Sequence, residues 1–222
     1  MPLLQVKLCF NMKKLIILGA SGFGIGILEA AQQSKGYNEE FVIKGFLDPN
    51  PHALNNYPNC PSVIGNDDDY LIEEDDVFVC ALGNLKVKIK CIERMKERGA
   101  KFINLINKRA DISPYARIGV GNIFSAYSSI GAGAIVGNYN LFQRNSIISH
   151  DCIVGDFNRI DCNVVCVGGV KIENRVTIHT SSVINHRVIL KNDSIVGACS
   201  FVVKSVKEND LVLGNPAKRI DL

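Results

Sequence analysis

The chain is poor in the features that mark several common protein classes. It contains no run of about 18 apolar residues, the length a helix needs to cross a bilayer, so no membrane insertion is expected. Its formal charge is only +3 over 222 residues, and its basic clusters are no longer than pairs such as Lys218-Arg219. That leaves no electrostatic footprint for nucleic acid. Eight cysteines are present without a single Cys-x-x-Cys pair. In a chain of this length they read as reduced, buried thiols of a cytoplasmic protein rather than a disulfide framework. The opening residues, MPLLQVKLCF, lack the basic n-region and small-residue cleavage site of a signal peptide. Met12 begins a cleaner stretch, MKKLIILGASG, so residues 1–11 read as an upstream extension, disordered or laid on the surface.

What is present is a period. Every sixth residue from Ile112 to Val202 is apolar, through Phe124, Val136, Ile148, Ile160, Ile172 and Ile184. A second column of small or β-branched residues runs two positions ahead, from Ala116 to Val206. A six-residue period fits neither a helix nor a simple alternating strand over this length. It fits a parallel β-helix, in which each short strand gives a side chain to a shared interior and then turns. Three such sides make a coil of 18 residues, so residues 18 apart should stack about 4.8 Å from one another. Cys152 and Cys166 fall in the interior columns.

Residues 12–107 follow a different rule. Lys14–Leu18 is a continuous apolar run, as expected of a strand buried on both faces. A helix is predicted from Gly22 to about Ser34, a strand over Phe41–Leu47, a third strand over Val77–Leu82, a helix over Leu85–Arg98 ending at Gly99, and a fourth strand over Lys101–Ile106. Strand and helix alternating at this spacing imply a small Rossmann-like parallel sheet. The chain therefore divides near residue 108, with the β-helix occupying 108–222.

Candidate chemistry is sparse, since there are only four histidines, His52, His150, His179 and His186. His150 lies outside the core column and is followed by Asp151. An imidazole beside a carboxylate is the minimal general-base unit; the residue types alone also allow a solvated surface histidine. His179 falls one coil above Asp161 and reads as a surface pair. His186 follows His150 by two coils in the same column, with Gly168 between. In the first domain, GASGFGIG (Gly19 to Gly26) follows a strand and opens a helix, where free N–H groups make a seat for phosphate. Asp48 and Gly83-Asn84 end the next strands, so all three spots lie at carboxyl ends of parallel strands. An NAD-dependent epimerase can begin similarly, but no Tyr-x-x-x-Lys pair exists in the chain.

Taken together, MKKLIILGASGFG, GFLD, ALGN, NLINKRADISPYARIG, SHDCIVGDFNRI and GNPAKRI resemble the hexapeptide-repeat acyltransferases of the sialic acid O-acetyltransferase type. Within them the resemblance is nearest to the UDP-4-amino-sugar N-acetyltransferases, such as that of the bacillosamine pathway. The resemblance implies a left-handed β-helix, a homotrimer with sites between subunits, acetyl-CoA as donor and no metal. It implies His150 as catalytic base and Asp151 as the acid that raises its basicity. It places Arg159, Gly168, Thr180 and Ala198 on the CoA side, and Ser21, Gly22, Phe23, Asp48 and Gly83 in the nucleotide-sugar pocket. Two positions depart from relatives that carry His: Phe23 and Arg159.

The activity so implied is acetyl transfer to the amine of a nucleotide-linked amino sugar, directly, in a ternary complex. O-acetylation of sialic acid or another surface-polysaccharide sugar is the alternative. A reading of another class, a metal-binding coil of the γ-carbonic-anhydrase type, would use His150 and His186. It lacks a third histidine where that family has one, with Lys191 and Asn192 in the region instead.

Overall fold

The computed structural model describes residues 12–220; the expected extension at 1–11 lies outside them. The first unit is a four-stranded parallel sheet of β1 (Lys13–Leu18), β2 (Phe41–Leu47), β3 (Val63–Gly65) and β4 (Asp76–Cys80), in the order β3-β2-β1-β4. Helix α1 (Gly22–Gln32) joins β1 to β2, and α2 (Leu85–Glu97) follows β4. The central β1 is apolar and buried from Leu15 to Leu18 because both faces are covered there. Leu15 and Ile17 pack with Ile27, Leu28 and Ala31 of α1, whereas Ile16 and Leu18 pack with Ile92 and Met95 of α2. Helix α2 is capped by Asn84 Oδ1, which accepts from Val87 N at 3.2 Å. It ends before Gly99 at φ +88°, the left-handed residue that closes a helix.

One expected strand is not in this sheet. Within Lys101–Ile106, Phe102 makes only an isolated bridge to Phe78, while Leu105–Ile106 pairs with Ile123–Phe124. The segment hands the chain from sheet to coil, so its last two residues already obey the coil's register. The short β3, absent from the sequence reading, pairs on the outer edge of β2.

From Leu105 onward, two-residue strands recur every six residues and form three parallel sheets, the faces of a triangular prism. Each strand pairs with the one 18 residues later: Leu141↔Arg159 on the first face, Ile147↔Val165 on the second, Ile135↔Ile153 on the third. This is the left-handed parallel β-helix expected. The corners are as regular as the strands. Every sixth residue from Gly121 to Cys199 has φ between +55° and +74°, although only Gly121, Gly133 and Gly169 among them are glycine. Left-handed backbone at a residue with a Cβ costs about 1–2 kcal/mol, so the stacked coils must hold these corners.

Both columns point inward. Phe124, Phe142, Ile160 and Ile178 from one, and Ser128, Ala134, Val164 and Val170 from the other, are buried. Asn122, Asn140 and Asn158 form a buried ladder in which Asn140 N and Asn158 N donate to the Oδ1 one coil below, at 2.9 and 2.8 Å. Cys152 and Cys166 are buried free thiols. The coil ends in a hairpin, where Leu211–Gly214 adds to the first face and Ala217–Ile220 returns antiparallel.

Candidate functional site

The edge between the second and third faces carries His150 and Asp151. Consecutive side chains in extended backbone point apart. Here Asp151 sits at φ +58°, which turns the chain so that both side chains leave the prism together. Asp151 Oδ2 lies 2.8 Å from His150 Nδ1, with the two side chains 65% and 73% exposed. An ionised carboxylate only accepts, so the imidazole donates from Nδ1 and keeps Nε2 as a free lone pair. Two glycines make room. A Cβ on Gly168, one coil above, would fall 2.5 Å from His150 Nε2; one on Gly133, one coil below, would fall 2.5 Å from Asp151 Oδ1. Gly168 therefore seats the imidazole against the backbone. The backbone pins the same corner: Gly169 N donates to His150 O, and Asp151 N to Ala132 O, each at 3.0 Å. His186 is exposed two coils further. Among the described residues no three His, Cys, Asp or Glu side chains come together as a metal ion would need.

The edge between the first and second faces is built differently. Thr180 and Ala198, one coil apart, are exposed there. Below them Asp161 is only 4% exposed. His179 Nδ1 meets its Oδ2 at 3.0 Å, while Gln143 Nε2 and Arg159 Nε donate to its Oδ1 at 2.9 and 2.6 Å. The expected His179–Asp161 pair thus exists, but it is not a surface pair, since its carboxylate is buried under three donors.

In the first domain the expected residues gather at the carboxyl ends of β1, β2 and β4. The order β3-β2-β1-β4 makes the crevice between β1 and β4 the topological switch point, where open parallel sheets bind ligands. Gly19 turns at φ +103°, and a Cβ on Gly24 would fall 2.3 Å from Gly19 O, so the loop closes tightly onto α1. Ser21 precedes α1 but its side chain does not cap the helix. Asp48 accepts from Ala20 N at 2.8 Å and from Asn50 N at 2.9 Å. Its carboxylate ties the glycine loop to the end of β2, so its visible work is on backbone rather than facing outward. Ser21, Gly22, Phe23 and Gly83 are exposed.

Phe23 and Gly83 open into a cleft of about 410 Å³ between the sheet and the first face of the prism. Its other walls include Cys80, Leu82, Lys88, Leu141, Gln143, Phe157, Arg159 and Thr177. Lys88 Nζ donates to Tyr139 O at 2.7 Å and bridges α2 to the coil. Burial at this junction draws its pKa below the usual lysine value, against a smaller opposing pull from Cys80. Lys88 and Gln143 escaped the sequence reading. Gln143 was findable, since it precedes Asp161 by one coil; Lys88 was not, because its place depends on how the domains dock. His150, Asp151 and Gly168 do not line this cleft. Within one chain the structure does not bring the dyad and the cleft together.

Comparison with known proteins bears on both halves. Residues 14–95 match the family described as the PglD N-terminal domain. Nearly the whole chain is similar to the acetyltransferase domain of PglB from Neisseria gonorrhoeae FA1090 in complex with acetyl coenzyme A. The identity is 26% and the TM-score 0.84, over 95% of this chain and 100% of that one. PerB from Caulobacter crescentus, solved with CoA and GDP-perosamine, shares the fold at 24% identity and a TM-score of 0.83, covering 94% and 97%. So does WeeI from Acinetobacter baumannii AYE, at 23% and 0.81, covering 94% and 100%. The resemblance to hexapeptide-repeat acyltransferases is borne out, with residues similar to the PglD N-terminal domain leading into the coil.

Proposed function

We propose that this protein transfers the acetyl group of acetyl-CoA to the amine of a nucleotide-linked amino sugar, with His150 as general base. The His150–Asp151 dyad carries this reading: its ring is seated against a glycine backbone and its Nε2 is open. The likeness to a PglB domain that holds acetyl coenzyme A supports the donor. The PglD-like first domain and its switch-point cleft support a nucleotide-sugar acceptor, in a fold that in PerB accommodates CoA and GDP-perosamine.

The neutral amine attacks the thioester carbon. His150 Nε2 takes the proton released as the C–N bond forms, and Asp151 stabilises the imidazolium through Nδ1. The Gly168 amide beside the ring is the donor we assign to the oxyanion. Collapse expels the CoA thiolate, which His150 reprotonates. No acyl-enzyme is formed.

The site is shared between copies in this reading. His150 and Gly168 lie on one border of the second face; Arg159, Thr180 and Ala198 lie at or beside its other border. Between them the second face presents Ile147, Val165, Val183 and Phe201 outward on four successive coils, and Ile147 is 40% exposed. Packing three such faces around an axis buries that apolar strip and brings opposite borders of neighbours together. The protein is thus a homotrimer, each cleft meeting the dyad of a neighbour. Among the described residues no helix is long and apolar enough to cross a membrane. The acetyl-CoA donor supports a cytoplasmic location for the enzyme.

The test is incubation with acetyl-CoA and a panel of UDP-, GDP- and dTDP-linked amino sugars plus sialic acid, recording thiol release. Release with an amino sugar, abolished in His150→Ala, is the expected result. Release with sialic acid alone would establish O-acetylation instead, and release with none would refute both.

A further inference from the structure

Asp161 is an ionisable side chain that the reaction above does not use, and it is almost wholly buried at 4% exposure. A carboxylate in such a place needs donors to replace water. Three converge on it: Arg159 Nε at 2.6 Å, Gln143 Nε2 at 2.9 Å and His179 Nδ1 at 3.0 Å. Gln143, Asp161 and His179 stand one above another at the coil spacing, so the prism itself aligns them.

The consequence falls on Arg159. The guanidinium is planar, and with Nε held by Asp161 its two Nη groups are aimed as a unit. Among the described residues neither Nη has a hydrogen-bond partner, while the side chain is 53% exposed and lines the cleft. Lys88 is a second basic side chain in the cleft wall, and among the described residues no acidic side chain lines it. We infer that Asp161, braced by His179, is a positioning residue that fixes Arg159 as a diphosphate-binding fork in the wall of the cleft. The inference rests on the proposed function only for the source of that diphosphate, since a nucleotide sugar and CoA both carry one.

Calorimetry with inorganic pyrophosphate on the full-length protein tests the fork without any turnover. Wild type should bind it, and Arg159→Gln and Asp161→Asn should each weaken binding on the order of tenfold, the worth of one charge-assisted bidentate contact. The double variant should bind no worse than Arg159→Gln, because Asp161 acts through Arg159. Wild type that ignores pyrophosphate overturns the inference. So does Asp161→Asn that binds like wild type while melting lower, since the carboxylate would then serve the fold alone. If Asp161→Asn does not fold, Arg159→Lys carries the test: it keeps the charge but not the fork, and wild-type binding by it overturns the assignment. Parallel titrations with UDP, GDP and CoA identify the source, since either loss, for the nucleotides or for CoA, supports the fork. A protein that binds pyrophosphate through Arg159 yet releases no thiol from acetyl-CoA would fail the proposed function and leave this inference standing.

Discussion

His150 Nδ1 and Asp151 Oδ2 lie 2.8 Å apart although the two residues are adjacent in the chain. The left-handed corner makes that contact, and with it a fixed tautomer. His150→Ala should lower kcat by about two to four decades, the usual range for a general base. Asp151→Asn should lower it by less. Steady-state kinetics with unchanged sedimentation would separate this from a folding defect.

Gly168→Ala places a methyl where the ring edge now lies, 2.5 Å from Nε2. The imidazole is the far end of a movable side chain, so it will swing aside rather than unfold the coil. The expected outcome is a loss of kcat with little change in melting temperature.

The sequence made the prism legible because its geometry is one-dimensional. A six-residue step places each side chain, so the interior columns and the stacking of Asp161 under His179 follow from arithmetic. It could not tell that Asp161 would be buried, because that depends on Gln143 and Arg159 closing over it. The segment 101–106 misled because its apolar residues suit either unit; register with Asn122 and Phe124 assigns its end to the coil. The cleft was half visible. Gly19 and Gly83 announced the switch point, whereas Lys88 and Leu141 meet only through the docking of two domains.

Asn140 is 1% exposed; its Nδ2 reaches Gly155 O at 2.9 Å and its Oδ1 accepts from Asn158 N at 2.8 Å. Asn140→Ala strands those groups in the core and should cost about 2–4 kcal/mol. Chemical denaturation would show the shift in midpoint.

The outward strip of the second face should govern assembly. Ile147→Asp or Val183→Asp puts a carboxylate on each of three copies around one axis, and should yield monomers by analytical ultracentrifugation. If sites are shared, these monomers should also lose acetyl transfer while keeping their β-sheet circular dichroism.

Arg175 holds Asp193 at 2.7–2.8 Å through two contacts and keeps its carboxyl below the ordinary range. A carboxyl whose folded value is lowered stabilises the fold above its unfolded value, 3.8, and loses that contribution as pH falls through the lowered one. Both side chains are about a third exposed, so the gain is under about 1 kcal/mol. Asp193→Asn should melt slightly lower than wild type at pH 7, and the difference should close in acid.

The terminal hairpin has a role beyond finishing the chain. A stack of identical coils ends in bare strand borders, each a template for another stack of the same kind. Ala217–Ile220, running against Leu211–Gly214, covers one such border with a strand of the wrong polarity to continue the pattern. Cut before Leu211, the first face would end on Ile195–Val196 with an open strand border, whereas its opposite border is already closed by Gln33–Lys35, so the last ten described residues shield the one end of that face left open to another strand.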